Sequence, residues 1–272
     1  MVVVSAMPLY RRGMKKFPIF LVLSALIASV VVAEDGKDAS AKKLYSGKPI
    51  QALLITGGCC HNYLFQSAAL TTGVEKQADI EWTVVRDGGT GTSAEIDLYK
   101  DPDWAKPYDV IVHNECFAAT TNPAYIKSIT EAHKAGKPAV VIHCAMHTYR
   151  DAKIDDWRQF LGVTSKHHEH QSNYPVKITE PDHPVMKGFK KDWVTPKDEL
   201  YIIKKLWPTA KALATSISEK TKEEQPVVWV NDFHGTRVFG TTYGHSDDTF
   251  RDPVFINLLA RGIVWASGKM DE

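Results

Sequence analysis

Histidines recur immediately after apolar, β-branched runs. QALLIT (51–56) leads into Gly57-Gly58-Cys59-Cys60-His61-Asn62, and YDVIVH (108–113) ends on His113 and continues Asn114-Glu115-Cys116. AVVI (139–142) runs into His143-Cys144-Ala145-Met146-His147, and Arg237–Thr241 into Thr242-Tyr243-Gly244-His245. Imidazole titrates near neutral pH and is also a common metal ligand, so such a set suits proton transfer or metal chemistry. His143, His61 and His245, with Glu115, are the candidate acid–base residues. His143 and His147 lie four apart at the start of a predicted helix, where both can face one side. With His61 they could hold a divalent metal such as zinc. The run Lys166-His167-His168-Glu169-His170 reads as a polar loop at the mouth of the same site.

Such convergence requires strands whose carboxyl ends share one rim, as in an open parallel sheet. The pattern supplies them. Short apolar strands at 51–56, 80–85, 108–113 and 139–142 alternate with predicted helices at 66–77 and 123–135. This predicts an α/β fold with a mostly parallel sheet covered on both faces. A short helix at 156–161 and a strand at 174–178 follow. The strands at 210–215, 227–230 and 237–241 read as partly antiparallel. Asp252 can cap a closing helix to Ala266, with Pro253 in its first turn.

The N-terminus reads as a secretory signal peptide over residues 1–33. Arg11, Arg12, Lys15 and Lys16 precede the apolar run 17–32, and small residues lead to a cleavage site near Ala33. The expected product is exported, periplasmic or extracellular. Residues 34–48 read as a flexible leader and 49–269 as one domain. Lys and Arg number 33 against 32 Asp and Glu, with no basic stripe, which argues against a nucleic-acid partner. The four cysteines are too few for a disulfide scaffold. Cys59 and Cys60 are adjacent, and sequence neighbours rarely bridge, so the cysteines read mainly as small buried thiols.

Taken in order, LLITGGCCHNY, PYDVIVHNE, GKPAVVIHCAMHTYR, PDHPVMKGF, DELYII, PVVWVNDFHGTRVFGTTYGH and DPVFINLLARGIVWA resemble the ThuA-like (trehalose utilisation) family. The resemblance implies a flavodoxin-like, class I glutamine amidotransferase-like three-layer sandwich. Amidotransferases of this fold carry a nucleophilic Cys on a sharp turn, as in KPVLGICLGMQ. Laid beside KPAVVIHCAMH, that position falls on His143, and Cys144 occupies the place of an oxyanion-hole N–H. The His-Pro-Glu partner is missing, so the chain is not expected to hydrolyse glutamine.

The resemblance further implies carbohydrate metabolism with a functional link to sugar dehydrogenases that form 3-keto-glycosides. The implied activity is isomerising or cleaving a small keto-sugar by His-mediated acid–base chemistry, with or without a metal. Asn62, Asn114, Cys144, Glu199 and Tyr243 are candidate sugar contacts. The residues leave two other readings open: a non-catalytic carbohydrate-binding or accessory protein on the same fold, and a Cys-dependent hydrolase.

Overall fold

In the run Ile50–Ile55 successive side chains point to opposite faces of a strand, and both faces are apolar. Ile50, Ala52 and Leu54 enter one buried cluster; Leu53 and Ile55 enter another. Such a strand is stable only with cover on both sides. A computed structural model, which describes residues 42–270, shows that cover. The expected signal peptide lies outside the described residues. The first strand begins at Tyr45, so the last residues of the expected leader are part of the fold.

The elements in chain order are β1 (Tyr45–Gly58), α1 (Tyr63–Glu75), β2 (Ala78–Arg86), β3 (Val110–Cys116), α2 (Pro123–Lys134), β4 (Ala139–Ile142), α3 (Asp156–Leu161) and β5 (Val163–Ser172). Then follow β6 (Lys177–Ile178), β7 (Asp198–Leu206), β8 (Ala210–Ile217), β9 (Glu224–Phe233), β10 (Thr236–Thr241), α4 (Asp247–Arg251) and α5 (Pro253–Ala266). Eight strands form one sheet in the order β2-β1-β3-β4-β10-β9-β8-β6. The first five run parallel; β9, β8 and β6 add antiparallel pairs. The cluster on one face takes in Leu70 and Val74 of α1 and Phe255, Leu258, Leu259 and Ile263 of α5. The cluster on the other takes in Ile126 and Ile129 of α2 and Trp157 and Phe160 of α3. The result is a three-layer α/β sandwich.

Caps fix the helix ends. Asn62 accepts from Phe65 N at the start of α1, and Asp252 from Val254 N at the start of α5. Each satisfies an otherwise unpaired helix N–H.

The second half differs from expectation: Asp198–Leu206 is a strand that was not expected, and the strand expected at 174–178 is only Lys177–Ile178. Residues 166–170 are not a loop: they lie within β5, which pairs antiparallel with β7 in a separate two-stranded sheet. The run lacks an apolar alternation. It is held instead by polar contacts from buried Glu169, which accepts from Ser218 Oγ, Glu219 N and Lys220 N.

Candidate active site

Three strand-end histidines meet. His61 follows β1, His143 follows β4 and His245 follows β10, and one ring nitrogen from each lies within 4.8 Å of the others. His61 Nε2 is 3.1 Å from His245 Nδ1. The rings of His61 and His143 stand edge to face at 4.8 Å. β4 ends in an elbow: His143 has φ 48°, a left-handed conformation that non-glycine residues seldom adopt. Its ring is pinned by an Nδ1–H donated to Thr242 O at 2.6 Å. Only 1% of the residue is exposed, so it sits behind the other two histidines.

β7 supplies what the histidines lack. Glu199 Oε2 lies 3.3 Å from His245 Nδ1, 3.4 Å from His168 Nδ1 and 3.7 Å from His143 Nε2. Two residues on, Tyr201 lies flat on His147 at 4.1 Å and brings its hydroxyl 3.3 Å from His143 Nε2. Behind them, buried Asp198 accepts from Glu199 N, Gly244 N, His245 N and Thr249 Oγ1. It ties the end of β7 to the loop carrying His245.

The environments push these groups in different directions. Burial, reinforced by neighbouring His245, lowers His61 to about 4. Burial also holds His143 well below the usual histidine range, with His61 adding to the effect. Burial opposes the charged form of His245 too, but the hydrogen-bonded Glu199 carboxylate turns the net shift upward. Burial likewise disfavours ionised Glu199, and the surrounding histidines reverse this, so its carboxyl falls below the usual value. Near neutral pH the site therefore holds two neutral imidazoles facing a His–carboxylate pair.

Above the group is a cavity of about 240 Å³, walled by His61, His147, Arg150, His168, Glu199, Tyr201 and His245. The four cysteines, with Thr92 and Ala118, complete the wall. Cys59 is bonded to Cys60 and Cys116 to Cys144, and Cys59 Sγ sits 3.8 Å from Cys116 Sγ. This corrects the expectation of buried thiols: the β1, β3 and β4 ends bring all four sulfurs to one wall. The adjacent pair closes at a turn where Cys60 has φ 84°. With no free cysteine among the described residues, a Cys-dependent hydrolase has no thiolate to use. A larger groove of about 640 Å³ beside β6, lined by residues such as Val176, Ile178, Val194 and Ile217, contains none of the histidines.

Several sequence candidates lie elsewhere, for reasons of register and helix geometry. Along β3, alternation turns His113 and Glu115 toward the α2–α3 layer. There His113 Nδ1 meets Glu115 Oε1 at 2.9 Å, and His113 Nε2 meets His133 Nε2 at 3.1 Å. Asn114 faces the opposite layer and donates to Gln66 Oε1. Tyr243 is buried and donates to Ser216 Oγ. Asn62 caps α1 and binds Asp247. His147 borders the cavity but does not join the three-histidine group, because its Nε2 is engaged with Ser165 Oγ. The turn after β4 is a 3-10 turn, His143–Met146, not an α-helix. At about 3 residues per turn, positions four apart diverge by roughly 120°, whereas in an α-helix they diverge by only about 40°. His245 takes the place that spacing gave to His147.

Tyr201, Arg150 and Tyr63 were not identified from sequence. Tyr201 had a signal, since it lies two residues beyond Glu199 on the same strand face. Arg150 and Tyr63 had none.

A doubly covered, mostly parallel sheet with a strained elbow after β4 defines the class I glutamine amidotransferase-like fold, here with histidine at the elbow. The family model for ThuA, trehalose utilisation, matches residues 53–266, and the chain belongs to that family. A solved ThuA-like protein from Parabacteroides merdae aligns at 23% identity and TM-score 0.62, covering 83% of this chain and 92% of its own. One from Bacteroides uniformis aligns at 18% identity and TM-score 0.62, covering 81% and 93%. A cytoplasmic protein of Salmonella typhimurium shares the fold at 13% identity and TM-score 0.52, covering 79% and 98%. Comparison with curated proteins gives no significant match.

Proposed function

We propose that this protein is an exported carbohydrate-active enzyme that isomerises or cleaves a keto-sugar by moving a proton beside its carbonyl. The observation carrying this reading is the convergence, at one small cavity, of two neutral imidazoles and a His–Glu pair in contact with them. A carbonyl acidifies the adjoining C–H, and its removal needs a base on one side and a proton or positive charge at the oxygen on the other. His61 and His143 serve as the base pair. His245, whose charged form the Glu199 carboxylate favours, faces the carbonyl oxygen, while Arg150 and His168 on the cavity wall contact hydroxyls. A cavity of about 240 Å³ is below the range typical of drug-sized ligands, which favours a single sugar ring. Family membership supports the carbohydrate assignment.

The test is to incubate the protein beginning at Glu34 with a 3-keto-glucoside and, separately, with the unoxidised glucoside. Conversion of the keto compound alone supports the reading. Equal conversion of both, or binding of both without turnover, contradicts it, the latter outcome favouring a carbohydrate-binding protein.

A further inference from the structure

The lone pairs around the site can be traced from fixed partners. Thr242 O can only accept, so His143 carries its proton on Nδ1 and presents a bare Nε2 to the cluster. Tyr63 donates its hydroxyl proton to Cys59 O, so its oxygen accepts from His61 Nδ1–H at 3.1 Å. His61 Nε2 is therefore also bare, and it points at His245. The far nitrogen of His245, Nε2, meets the side-chain amide of Gln171 at 2.6 Å. Gln171 Nε2 donates to it, so His245 Nδ1 carries the proton that it shares with Glu199, and an ion that displaces this proton gains the third nitrogen. Three ring nitrogens face one point, two of them without a proton, with the Glu199 carboxylate at its edge.

We propose that His61, His143 and His245 hold one divalent first-row metal ion, zinc being the best match, with an open fourth position toward the cavity and Glu199. Two nitrogens on a tetrahedral zinc with bonds of about 2.0–2.1 Å are about 3.3 Å apart. His61 Nε2 and His245 Nδ1 already stand at 3.1 Å, and His143 completes a triangle with no side above 4.8 Å. Each ligand comes from a different strand end, and two have their outward nitrogen fixed by a carbonyl or a hydroxyl, the usual support behind metal-bound histidines. Imidazole sets suit zinc, copper, nickel or iron, and three protein ligands with an open position mark a catalytic site rather than a structural one. The neighbouring sulfur group, Cys59, Cys60 and Cys116, is geometrically close enough to compete. Disulfide sulfurs, however, do not offer the thiolates that metals take. This inference does not depend on the sugar assignment; with the ion bound the three imidazoles are ligands, and Glu199 beside the open position is the group left to move a proton.

The experiment uses the oxidised mature protein, stripped with chelator and titrated with Co²⁺ and Zn²⁺ without reductant or substrate. The expected result is one ion per chain with a visible Co²⁺ spectrum. His61→Ala and His245→Ala, both at partly exposed loop positions, should lose that spectrum. Tyr63→Phe should weaken affinity about 10- to 100-fold. His234→Ala, in the β9–β10 turn, serves as the folded control and should bind normally. The proposal is overturned by no stoichiometric binding, by binding as tight as the parent's in His61→Ala and His245→Ala, or by binding lost only in Cys59→Ser/Cys60→Ser. The last outcome would assign the ion to the sulfur wall. Because no substrate is present, failure here is distinct from failure of the keto-sugar reading.

Discussion

At the scale of single residues, identity matters less than the direction each side chain faces. Glu115 and His143 both end strands and both are buried, yet only His143 belongs to the site. Glu115 heads an internal chain. Lys137 O accepts from His133 Nδ1, which leaves His133 Nε2 to accept from His113 Nε2–H, so one proton must bridge His113 Nδ1 and Glu115. Glu115→Leu breaks that bridge and leaves a buried imidazole nitrogen unpaired. The expected cost is about 1–3 kcal/mol in urea unfolding, with turnover changed only a few-fold. A loss of turnover of about 100-fold or more in a folded protein would restore Glu115 to the chemistry. The strand ends were visible in the sequence, and so were His61, His143, His245 and Glu199. The face on which each side chain would emerge was not, since a one-residue shift of register reverses it.

At the scale of elements, the working parts are the turns after β1, β4 and β10 and the pairing of β5 with β7. The first turn depends on Gly57-Gly58. Gly58 has φ 93°, and a Cβ there would lie 2.2 Å from Cys116 O, the backbone of the neighbouring strand. Gly58→Ala should therefore displace the Cys59–His61 segment as well as destabilise the fold. The checks are a lowered thermal midpoint and loss of metal or sugar binding out of proportion to it. An unchanged midpoint would mean that the β1 end is less constrained than the close approach implies. Helices α2, α3 and α5 were readable from the residue pattern, and Asp252 caps α5 as expected by accepting from Val254 N; the cap of α2, Asn122, was not read. β5 was not readable, because its buried positions are held by Glu169 and by pairing with a strand more than twenty-five residues away. Nor did spacing distinguish a 3-10 turn from an α-helix, and that misplaced His147.

At the scale of the whole molecule, buried neutral histidines make the fold sensitive to acid. Burial, then nearby Arg150, pushes His147 down to about 3, and burial holds His133 well below its ordinary value. Each remains neutral in the folded protein while the unfolded chain takes up a proton below about pH 6.5, so stability is present above that pH and falls as pH drops through it. For His147 alone the loss at pH 5 is about 2 kcal/mol, from about 1.36 kcal/mol per unit. His147→Gln should flatten the fall in denaturation midpoint between pH 7 and pH 5; an unchanged slope would show that His147 protonates readily in the folded state. The proposed export makes a separate prediction. Intact mass of the chain recovered from outside the cytoplasm should correspond to a start at Glu34, and a full-length chain retained inside would refute it.

The central claim is that His61, His143 and His245, with Glu199, form one site that moves a proton next to a sugar carbonyl. The most direct measurement is ¹H NMR of the mature protein with a 3-keto-glucoside in D₂O, beside His61→Ala, His143→Ala and Glu199→Gln. The account predicts deuterium entering at the carbon beside the carbonyl with the parent protein, slowed by about 10²- to 10⁴-fold in each folded variant. Absence of exchange with the folded parent protein, tested with and without added Zn²⁺, or exchange at the parent's rate in all three variants, would contradict it.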